Sequence, residues 1–446
     1  MEEQKTATSE ITQMLINPDF QKTLASLVPI TGNSLQAVHK EAEEYLTELY
    51  SEHQPVSNAV MMEAAQYILS RGYDKTIDVN PEEMQKLTKL MRSNSIAFVL
   101  THKSYVDLLV LSVVLARHGL PLPFMFAGIN LDLYAIGKFA RKSGVIYIRR
   151  SFKDNPIYKA TLRHYIASFL DKQSHFMWAL EGTRSRTGKL VWPQMGILKY
   201  ILEAEESSTQ NVKYVPVSIV YDLIPDVSDM TKEGRGKKKN PENLAWLLNY
   251  IQKMSGNLGK IALRIGDPID TSSVQNAPIP DDEESQPSAN NAVSHFAFEL
   301  VHRINDITPV TTTSLICTSL LSKFALTKRG VESDIADLMQ LIESHQRDAL
   351  VDRGRPIGES VQKALNMLTE AKLFLQQGDS LNAKFTIVRE NYLSATYYAN
   401  MAVHHLYHRA FIEIALIHIA DLPTEERTLA FWTEIMSLRD MFKFEI

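Results

Sequence analysis

The sequence predicts an α/β fold, in which a mixed sheet flanked by helices lies between helical N- and C-terminal regions. Short apolar runs alternate with helical segments in the central part, as they do in α/β sheets. Apolar residues recur at helical spacing before this part, and again after a segment rich in proline and acids. We therefore predict a helical region over 1–88, an α/β domain over 89–270, a linker over 271–291 and a helical region over 292–446.

The N-terminal region carries amphipathic helical patterns and one strong helix start. Ile11, Met14 and Leu15 recur at helical spacing. A second set with such spacing is Val38, Ala42, Tyr45, Leu46 and Leu49. Asn80 before Pro81 is a typical N-cap, because asparagine can accept a backbone hydrogen bond and proline suits the first helical position. We therefore expect helices up to the first strand of the sheet.

Six strands and five helices are predicted in the central part. The strands lie near 96–100, 123–127, 144–148, 176–180, 214–221 and 260–265. The helices lie near 104–118, 131–142, 156–172, 193–205 and 241–255. In α/β sheets the chemistry gathers at the carboxyl ends of the strands. Polar residues follow three of these strands, and we expect them to face one crevice.

The first polar strand end carries a histidine and an aspartate five residues apart. His102 follows the run at 96–100, and Asp107 falls in the first turn of the next helix. The carboxylate can hold one ring nitrogen, which leaves the other to take a proton from an alcohol. The alternative is structural, because Ser104 and Asp107 also fit a helix capping box.

The second polar strand end carries two arginines. Arg149 and Arg150 follow the apolar, β-branched run at 144–148. The planar guanidinium fork matches the oxygens of a phosphate, so paired arginines at this point indicate a phosphate site. The alternative is an ordinary strand followed by solvated charges.

The third polar strand end combines an acid, a glycine, hydroxyls and arginines in one turn. It contains Glu181, Gly182, Thr183 and Arg184. Glycine permits a tight backbone, the hydroxyl can donate a hydrogen bond, and arginine supplies charge. The alternative is a polar loop with a local glutamate–arginine pair. In a fourth strand, Pro216 indicates an edge position or a bulge near a site.

In this order, the four blocks resemble those of the glycerolipid acyltransferase superfamily. They match His-x4-Asp, Gly-x-x-x-Ile-Arg-Arg, Glu-Gly-Thr-Arg-Ser and a strand that carries a proline. The residues in these blocks are more similar to those of the glycerol-3-phosphate and dihydroxyacetone-phosphate acyltransferase branch. The segment 397–406 also resembles a C-terminal segment of that branch. The similarity runs from about residue 90 to the end. Lys103 departs from the arginine usual in this branch, and the chain stops where relatives continue, which favours a truncated or divergent member.

The resemblance implies transfer of a fatty acyl group from acyl-CoA or acyl carrier protein to the sn-1 hydroxyl of glycerol 3-phosphate, giving lysophosphatidate. It implies His102 as general base and Asp107 as the residue that orients it. Arg150 and Arg184 would hold the acceptor phosphate, supported by Arg149. The remaining residues would shape the phosphate pocket and the acyl side; they are Glu181, Gly182, Thr183 and Pro216.

Three alternatives remain at this stage. The same chemistry could act on dihydroxyacetone phosphate or lysophosphatidate, because the motifs read a phosphate and a hydroxyl. A non-catalytic lipid-surface protein could retain the fold, although such a copy should have lost part of the motif set. A histidine-dependent hydrolase is disfavoured because no Gly-x-Ser-x-Gly sequence lies near His102.

Composition and cysteine usage narrow the class of protein further. The formal net charge of −5 argues against a protein that binds nucleic acids through its overall charge. The single cysteine, Cys317, permits no internal disulfide. His404, His405, His408 and His418 could suggest a metal site, but acidic and thiolate partners at ligand spacing are missing, so we expect packing residues. We expect no metal and no prosthetic group.

The sequence predicts a peripheral membrane protein on the cytoplasmic face of the cell membrane. No apolar run reaches the roughly 18–20 residues needed to span a bilayer, and the first ten residues are acidic and polar, unlike a signal peptide. The clearest basic cluster is Arg235, Lys237, Lys238 and Lys239. We expect it to contact an anionic membrane surface, and coenzyme A phosphates or an acidic acyl carrier protein are the other anionic partners it could meet. The alternative is a solvated loop.

Overall fold

The computed structural model describes most of the chain. The described residues are 2–132, 134–149, 155–206, 208, 210–238, 243–271, 289–344, 355–378 and 383–442. Arg150, Lys239 and most of the predicted linker at 271–291 lie outside these ranges.

Five helices form the N-terminal part. They are α1 (Glu2–Leu15), α2 (Pro18–Thr31), α3 (Leu35–Leu49), α4 (Pro55–Ser70) and α5 (Pro81–Met91). The N-cap prediction for Asn80 is confirmed, because its side chain accepts the backbone N–H of Glu82 at 2.9 Å. Asn17 caps α2 in the same way. The apolar set predicted at Val38 to Leu49 is buried on one face of α3.

A seven-stranded mixed sheet forms the centre of the molecule, which confirms the predicted α/β fold class. Its strands are β1 (Asp78–Val79), β2 (Ser95–Leu100), β3 (Phe124–Gly128), β4 (Val145–Ile148), β5 (Phe176–Ala179), β6 (Val212–Tyr221) and β7 (Ile261–Ile265). The strand order is β1-β7-β6-β2-β5-β3-β4. The β6–β7 pair is antiparallel and the other pairs are parallel. The two-residue strand β1 was not predicted from the sequence.

Helices cover both faces of the sheet. They are α6 (Asp107–Arg117), α7 (Tyr134–Arg141), α8 (Pro156–Leu170), α9 (Met195–Glu206), α10 (Val227–Gly234) and α11 (Leu244–Lys253). Every residue of β2 is buried, and its side chains alternate between two cores because successive strand residues point to opposite faces. Ile96, Phe98 and Leu100 enter one core, and Ala97 and Val99 enter the other.

The C-terminal part adds helices and one small sheet. The helices are α12 (Ala289–Ile307), α13 (Thr312–Ser322), α14 (Lys328–Glu343), α15 (Ile357–Glu370), α16 (Tyr392–Asn400), α17 (Tyr407–Ile419) and α18 (Thr424–Phe442). An antiparallel sheet of β8 (Leu326–Thr327), β10 (Lys384–Ile387) and β9 (Phe374–Gln377) was not predicted. Cys317 and Tyr397 share a core with Val217 of the large sheet. The domain boundaries that we set from the sequence stay a prediction.

Pro216 lies inside the sheet, so the predicted edge position is wrong. It occupies β6 between β2 and β7 and faces Val99 of β2 in register. Val217 pairs with Ile265, whereas Tyr214 pairs with Ile269, so two residues of β6 face three residues after β7. Because the pairing shifts at this point, the strand needs no backbone N–H from Pro216, as at a β-bulge.

Candidate active site

Two loops after neighbouring strands are joined at the carboxyl edge of the sheet. The backbone N–H of His102 donates to Oε1 of Glu181 at 2.6 Å. The backbone N–H of Ser185 donates to the carbonyl of His102 at 2.8 Å. Because β2 and β5 are hydrogen-bonded neighbours, these contacts hold the first and third polar strand ends side by side.

The structure brings His102 and Asp107 together. Nδ1 of His102 lies 3.2 Å from Oδ2 of Asp107. The aspartate is buried, whereas the histidine side chain is 24% exposed. Within the described ranges, Nε2 of the histidine has no hydrogen-bond partner. One ring nitrogen is therefore oriented by a carboxylate and the other can meet a ligand, which is the arrangement of a general base.

Asp107 is fixed by several donors besides the histidine. Oδ2 also accepts the backbone N–H groups of Lys103 at 2.7 Å and Ser104 at 2.9 Å, and Oδ1 accepts the hydroxyl of Tyr221 at 2.5 Å. The capping-box alternative is largely realised. The carboxylate of Asp107 accepts the N–H of Ser104, and the hydroxyl of Ser104 accepts the N–H of Val106 at 3.4 Å. The same hydroxyl bonds to that of Tyr250 at 2.9 Å, and α6 begins at Asp107. The carboxylate thus serves both the helix start and the histidine.

Glu181 connects the backbone of the two loops. Its second oxygen, Oε2, accepts the N–H of Val191 at 3.1 Å. Burial raises the pKa of Glu181, and burial lowers the pKa of the neighbouring Lys103, while their opposite charges counter both shifts. Both side chains are buried. The carboxylate of Glu181 therefore joins the backbone of His102 to that of Val191.

Gly182 occupies a position that needs glycine. Its φ is +64°, in the left-handed region, and a Cβ there would lie 2.8 Å from Cγ of Gln194. Thr183 follows it and is exposed. A side chain at position 182 would therefore strain the backbone of this turn and displace Gln194.

Arg184 is held in a cleft beside the dyad. Its side chain is 8% exposed, and Nη1 lies 2.5 Å from Oδ2 of Asp226. The guanidinium carbon lies 3.7 Å from the centre of the Tyr105 ring, a cation–π contact. Trp246 and Tyr250 line the same cleft. Arg184 is thus a nearly buried cation in a concave site.

Asp226 stands at the start of a helix but does not cap it. It is the N-cap residue of α10, where an aspartate normally accepts a backbone N–H of the first turn, yet its side chain makes no cap hydrogen bond. Burial raises the pKa of Asp226, and Arg184 lowers it. Its Oδ1 is buried and has no hydrogen-bond partner in the part of the chain that the structure describes. The carboxylate is directed to Arg184 instead of the helix.

The structure does not bring Arg149 or Pro216 to the dyad. Arg149 follows the edge strand β4, three strands from β2, which places it about 14 Å away across the sheet. Its guanidinium bonds to Glu48 of α3, with Nε to Oε1 at 2.8 Å. Pro216 lies three residues before the level of His102 on a parallel strand, about 10 Å along the sheet. Arg150 is outside the described residues.

Sequence reasoning missed three residues of this site. Tyr221 donates to the carboxylate of Asp107, the ring of Tyr105 lies against the guanidinium of Arg184, and Asp226 pairs with that guanidinium. Tyr221 ends the fifth predicted strand, at 214–221, so its position at a carboxyl strand end was an available signal. No sequence pattern marks Asp226, because it meets Arg184 through the fold.

The described residues show neither a metal cluster nor a membrane span. Among them, no group of three or more His, Cys, Asp or Glu side chains is placed to hold a metal ion. Nε2 of His405 lies 2.8 Å from the carbonyl of Thr308, and the ring of His404 packs on it. No helix in the described ranges is both long and apolar enough to cross a bilayer.

Two family models match this chain. The model described as "Glycerol-3-phosphate acyltransferase C-terminal region" matches residues 230–446. The model described as "Acyltransferase" matches residues 79–220. The second match contains the dyad and the loop with Arg184, and the first contains α11 and the C-terminal helices.

Several curated proteins are similar to this chain over most of its length. A protein of Mycobacterium bovis, plsB1, assigned as an acyltransferase, is 29% identical over 98% of this chain and 70% of its own length. A glycerol-3-phosphate acyltransferase of Actinobacillus pleuropneumoniae is 29% identical over 83% of this chain and 46% of its own length. A crystal structure of the lysophosphatidate acyltransferase PlsC from Thermotoga maritima is 17% identical, covers 67% of this chain and 95% of its own, and has a TM-score of 0.33. At that score the structural likeness carries no further argument.

Proposed function

We propose that this chain is a glycerol-3-phosphate acyltransferase that transfers a fatty acyl group from a thioester to the sn-1 hydroxyl of glycerol 3-phosphate, giving lysophosphatidate. The two family models and the similar acyltransferases support this proposal. The observation that carries this proposal is the pair of His102 and Asp107 beside the cleft of Arg184. A base for a hydroxyl and a cation for a phosphate lie on loops that hydrogen bonds hold together.

The proposed reaction uses His102 as general base. Nε2 takes the proton of the acceptor hydroxyl while the oxygen attacks the thioester carbonyl, and the imidazolium then protonates the leaving thiolate. The buried carboxylate of Asp107 stabilises the imidazolium and keeps the ring oriented. The thioester supplies the driving force, so this chemistry requires no metal or prosthetic group.

The phosphate of the acceptor is proposed to bind Arg184. A guanidinium has five N–H donors, and the bond from Nη1 to Asp226 leaves others for phosphate oxygens. Burial in the cleft strengthens such a contact because water screens it less. Arg150 remains a proposed second phosphate ligand. For Arg149, the ion pair with Glu48 instead supports a structural role.

We place the proposed reaction at the cytoplasmic face of the membrane, with acyl-CoA or acyl carrier protein as the donor. The acyl chain and the product are amphiphilic, so a peripheral enzyme would collect and release them at a lipid surface. The resemblance to acyltransferases and the basic cluster before α11 support this proposal. An assay with each donor distinguishes acyl-CoA from acyl carrier protein.

One assay tests the proposed function. The purified chain is given glycerol 3-phosphate, dihydroxyacetone phosphate or lysophosphatidate with each donor type, and the product's acyl position is determined. We expect the highest kcat/KM with glycerol 3-phosphate and acylation at sn-1. A preference for another acceptor would identify that acceptor as the substrate. If the parent turns over no faster than a His102→Ala variant, the non-catalytic alternative is favoured.

A further inference from the structure

Helix α11 presents an apolar stripe on its outer side. Leu244, Leu247, Leu248 and Ile251 recur at positions i, i+3, i+4 and i+7, which places them on one face of a helix. Leu244 is 54% exposed and Leu248 is 60% exposed. The other two are half-buried. Large apolar side chains at this spacing normally face a partner, so the stripe requires an explanation.

The opposite face of α11 already packs on the protein. Trp246 contacts the ring of Tyr105 at 4.4 Å between ring centres, and Tyr250 is buried and bonds to Ser104. These residues also line the cleft of Arg184. The helix is therefore a wall with the cleft on one side and the apolar stripe on the other, so the core does not account for the stripe.

Exposed basic residues precede this helix. Arg235, Lys237 and Lys238 follow α10 directly and are exposed. Lys237 lies 3.7 Å from Asp229, a pair that is partly open to solvent. Basic residues beside an exposed apolar helix face are complementary to a bilayer with anionic headgroups, because charge attracts and apolar side chains insert.

We propose that this surface docks on an anionic lipid bilayer and seats the cleft at the membrane. The α11 docking face consists of Leu244, Leu247, Leu248 and Ile251, with Arg235, Lys237 and Lys238. The choice of lipid as the partner rests on the proposed function, since the acyl chain and the product are lipids. The surface itself rests on exposure and charge.

A second apolar stripe provides a matched comparison. Leu429, Trp432 and Met436 of α18 are exposed at positions i, i+3 and i+7. The turn before them carries Asp421, Glu425 and Glu426, which anionic headgroups repel. This C-terminal stripe lacks the charge complementarity of the α11 docking face, so we assign it no lipid contact.

Vesicle flotation of the full chain tests the proposal. Leu244→Asp/Leu248→Asp should lower partitioning onto phosphatidylglycerol–phosphatidylcholine vesicles by about tenfold or more, because two exposed leucines no longer insert. Arg235→Gln/Lys237→Gln/Lys238→Gln should lower it by about fivefold or more on these vesicles and have no effect on pure phosphatidylcholine. Leu429→Asp changes a leucine that is more exposed, at 76%, and should leave partitioning unchanged.

Three results would overturn the proposal. Unchanged partitioning of both α11 variants would remove this face from the membrane contact, and a loss caused by Leu429→Asp instead would move the contact to α18. A parent dimer in light scattering that the leucine double variant dissociates would show that a second copy covers the stripe. Flotation needs no turnover, so it stays valid if the parent fails to acylate glycerol 3-phosphate with a water-soluble short-chain thioester.

Discussion

Two arginines that each follow a buried strand have different surroundings in this protein. Arg149 follows the edge strand β4, bonds to Glu48 of α3 and lies over the ring of Tyr45. Arg184 follows β5, next to the strand that carries His102, and is held by Asp226 in the cleft. The edge arginine fastens an N-terminal helix to the sheet, whereas the central arginine stands beside a base.

The difference shows that the place of a strand in the sheet decides what its last residues can do. The carboxyl ends of neighbouring strands lie side by side, whereas the end of β4 lies about 14 Å from that of β2. We propose that the sheet centre is reactive and that this edge is structural.

The largest effect is expected at the dyad in the centre. His102→Ala and Asp107→Asn should each lower kcat by about 100- to 10,000-fold, because a positioned base is lost or misoriented. Steady-state kinetics with thermal unfolding measures this, and His408→Ala, an exposed histidine, is the control. If Asp107→Asn lowers stability but keeps most of the activity, the carboxylate serves the helix start alone.

His175 lies at the amino end of β5, opposite the edge of the sheet that carries the dyad. We expect it to control how stability depends on pH without affecting the dyad. Nδ1 of His175 accepts the N–H of Ile96 at 3.1 Å, and burial lowers the pKa of His175 to about 4. The folded pKa lies below the unfolded value, so this stability is present above about pH 6.5 and is lost as the pH falls to about 4. It amounts to roughly 3 kcal/mol.

Urea unfolding at several pH values measures this dependence. His175→Asn keeps an acceptor for Ile96 but cannot be charged, so its free energy of unfolding should fall less steeply with acid than that of the parent. Parallel curves for the two proteins would contradict the assignment to His175.

A smaller effect is expected from the partner of the central arginine. Asp226→Ala should raise the KM for glycerol 3-phosphate about tenfold, because a hydrogen bond to a charged group, worth about 1.5–3 kcal/mol, no longer orients Arg184. Asp226→Asn keeps an acceptor and should remain within about twofold of the parent. Equal losses in both variants would point to a general effect of the substitution, as would a further loss in an Arg184→Lys background.

The sequence predicted the central architecture well because alternating apolar runs and turns are local signals. The six predicted strands and five helices are all present, with ends within three residues of the prediction. The short β1 and β8 were missed because two residues carry no periodic signal. Strand order was not predictable from local pattern, so the choice between an edge position and a bulge at Pro216 stayed open.

The candidate site was predictable only where one segment supplies both partners. His102 and Asp107 are five residues apart, so one turn joins them. Arg184 and Asp226 are 42 residues apart and meet through packing. The two arginine-bearing strand ends looked alike in sequence, since nothing local distinguishes an edge strand from a central one.

The acceptor KM of two matched variants tests the central claim most directly. Arg184→Lys and Arg149→Lys each keep the charge and lose the guanidinium fork. We predict that Arg184→Lys raises the KM for glycerol 3-phosphate about tenfold or more with little change for the acyl donor. Arg149→Lys should leave both constants unchanged and lower stability by about 1 kcal/mol. An unchanged acceptor KM in Arg184→Lys, or a raised one in Arg149→Lys alone, would contradict the assignment of the phosphate site to the central cleft.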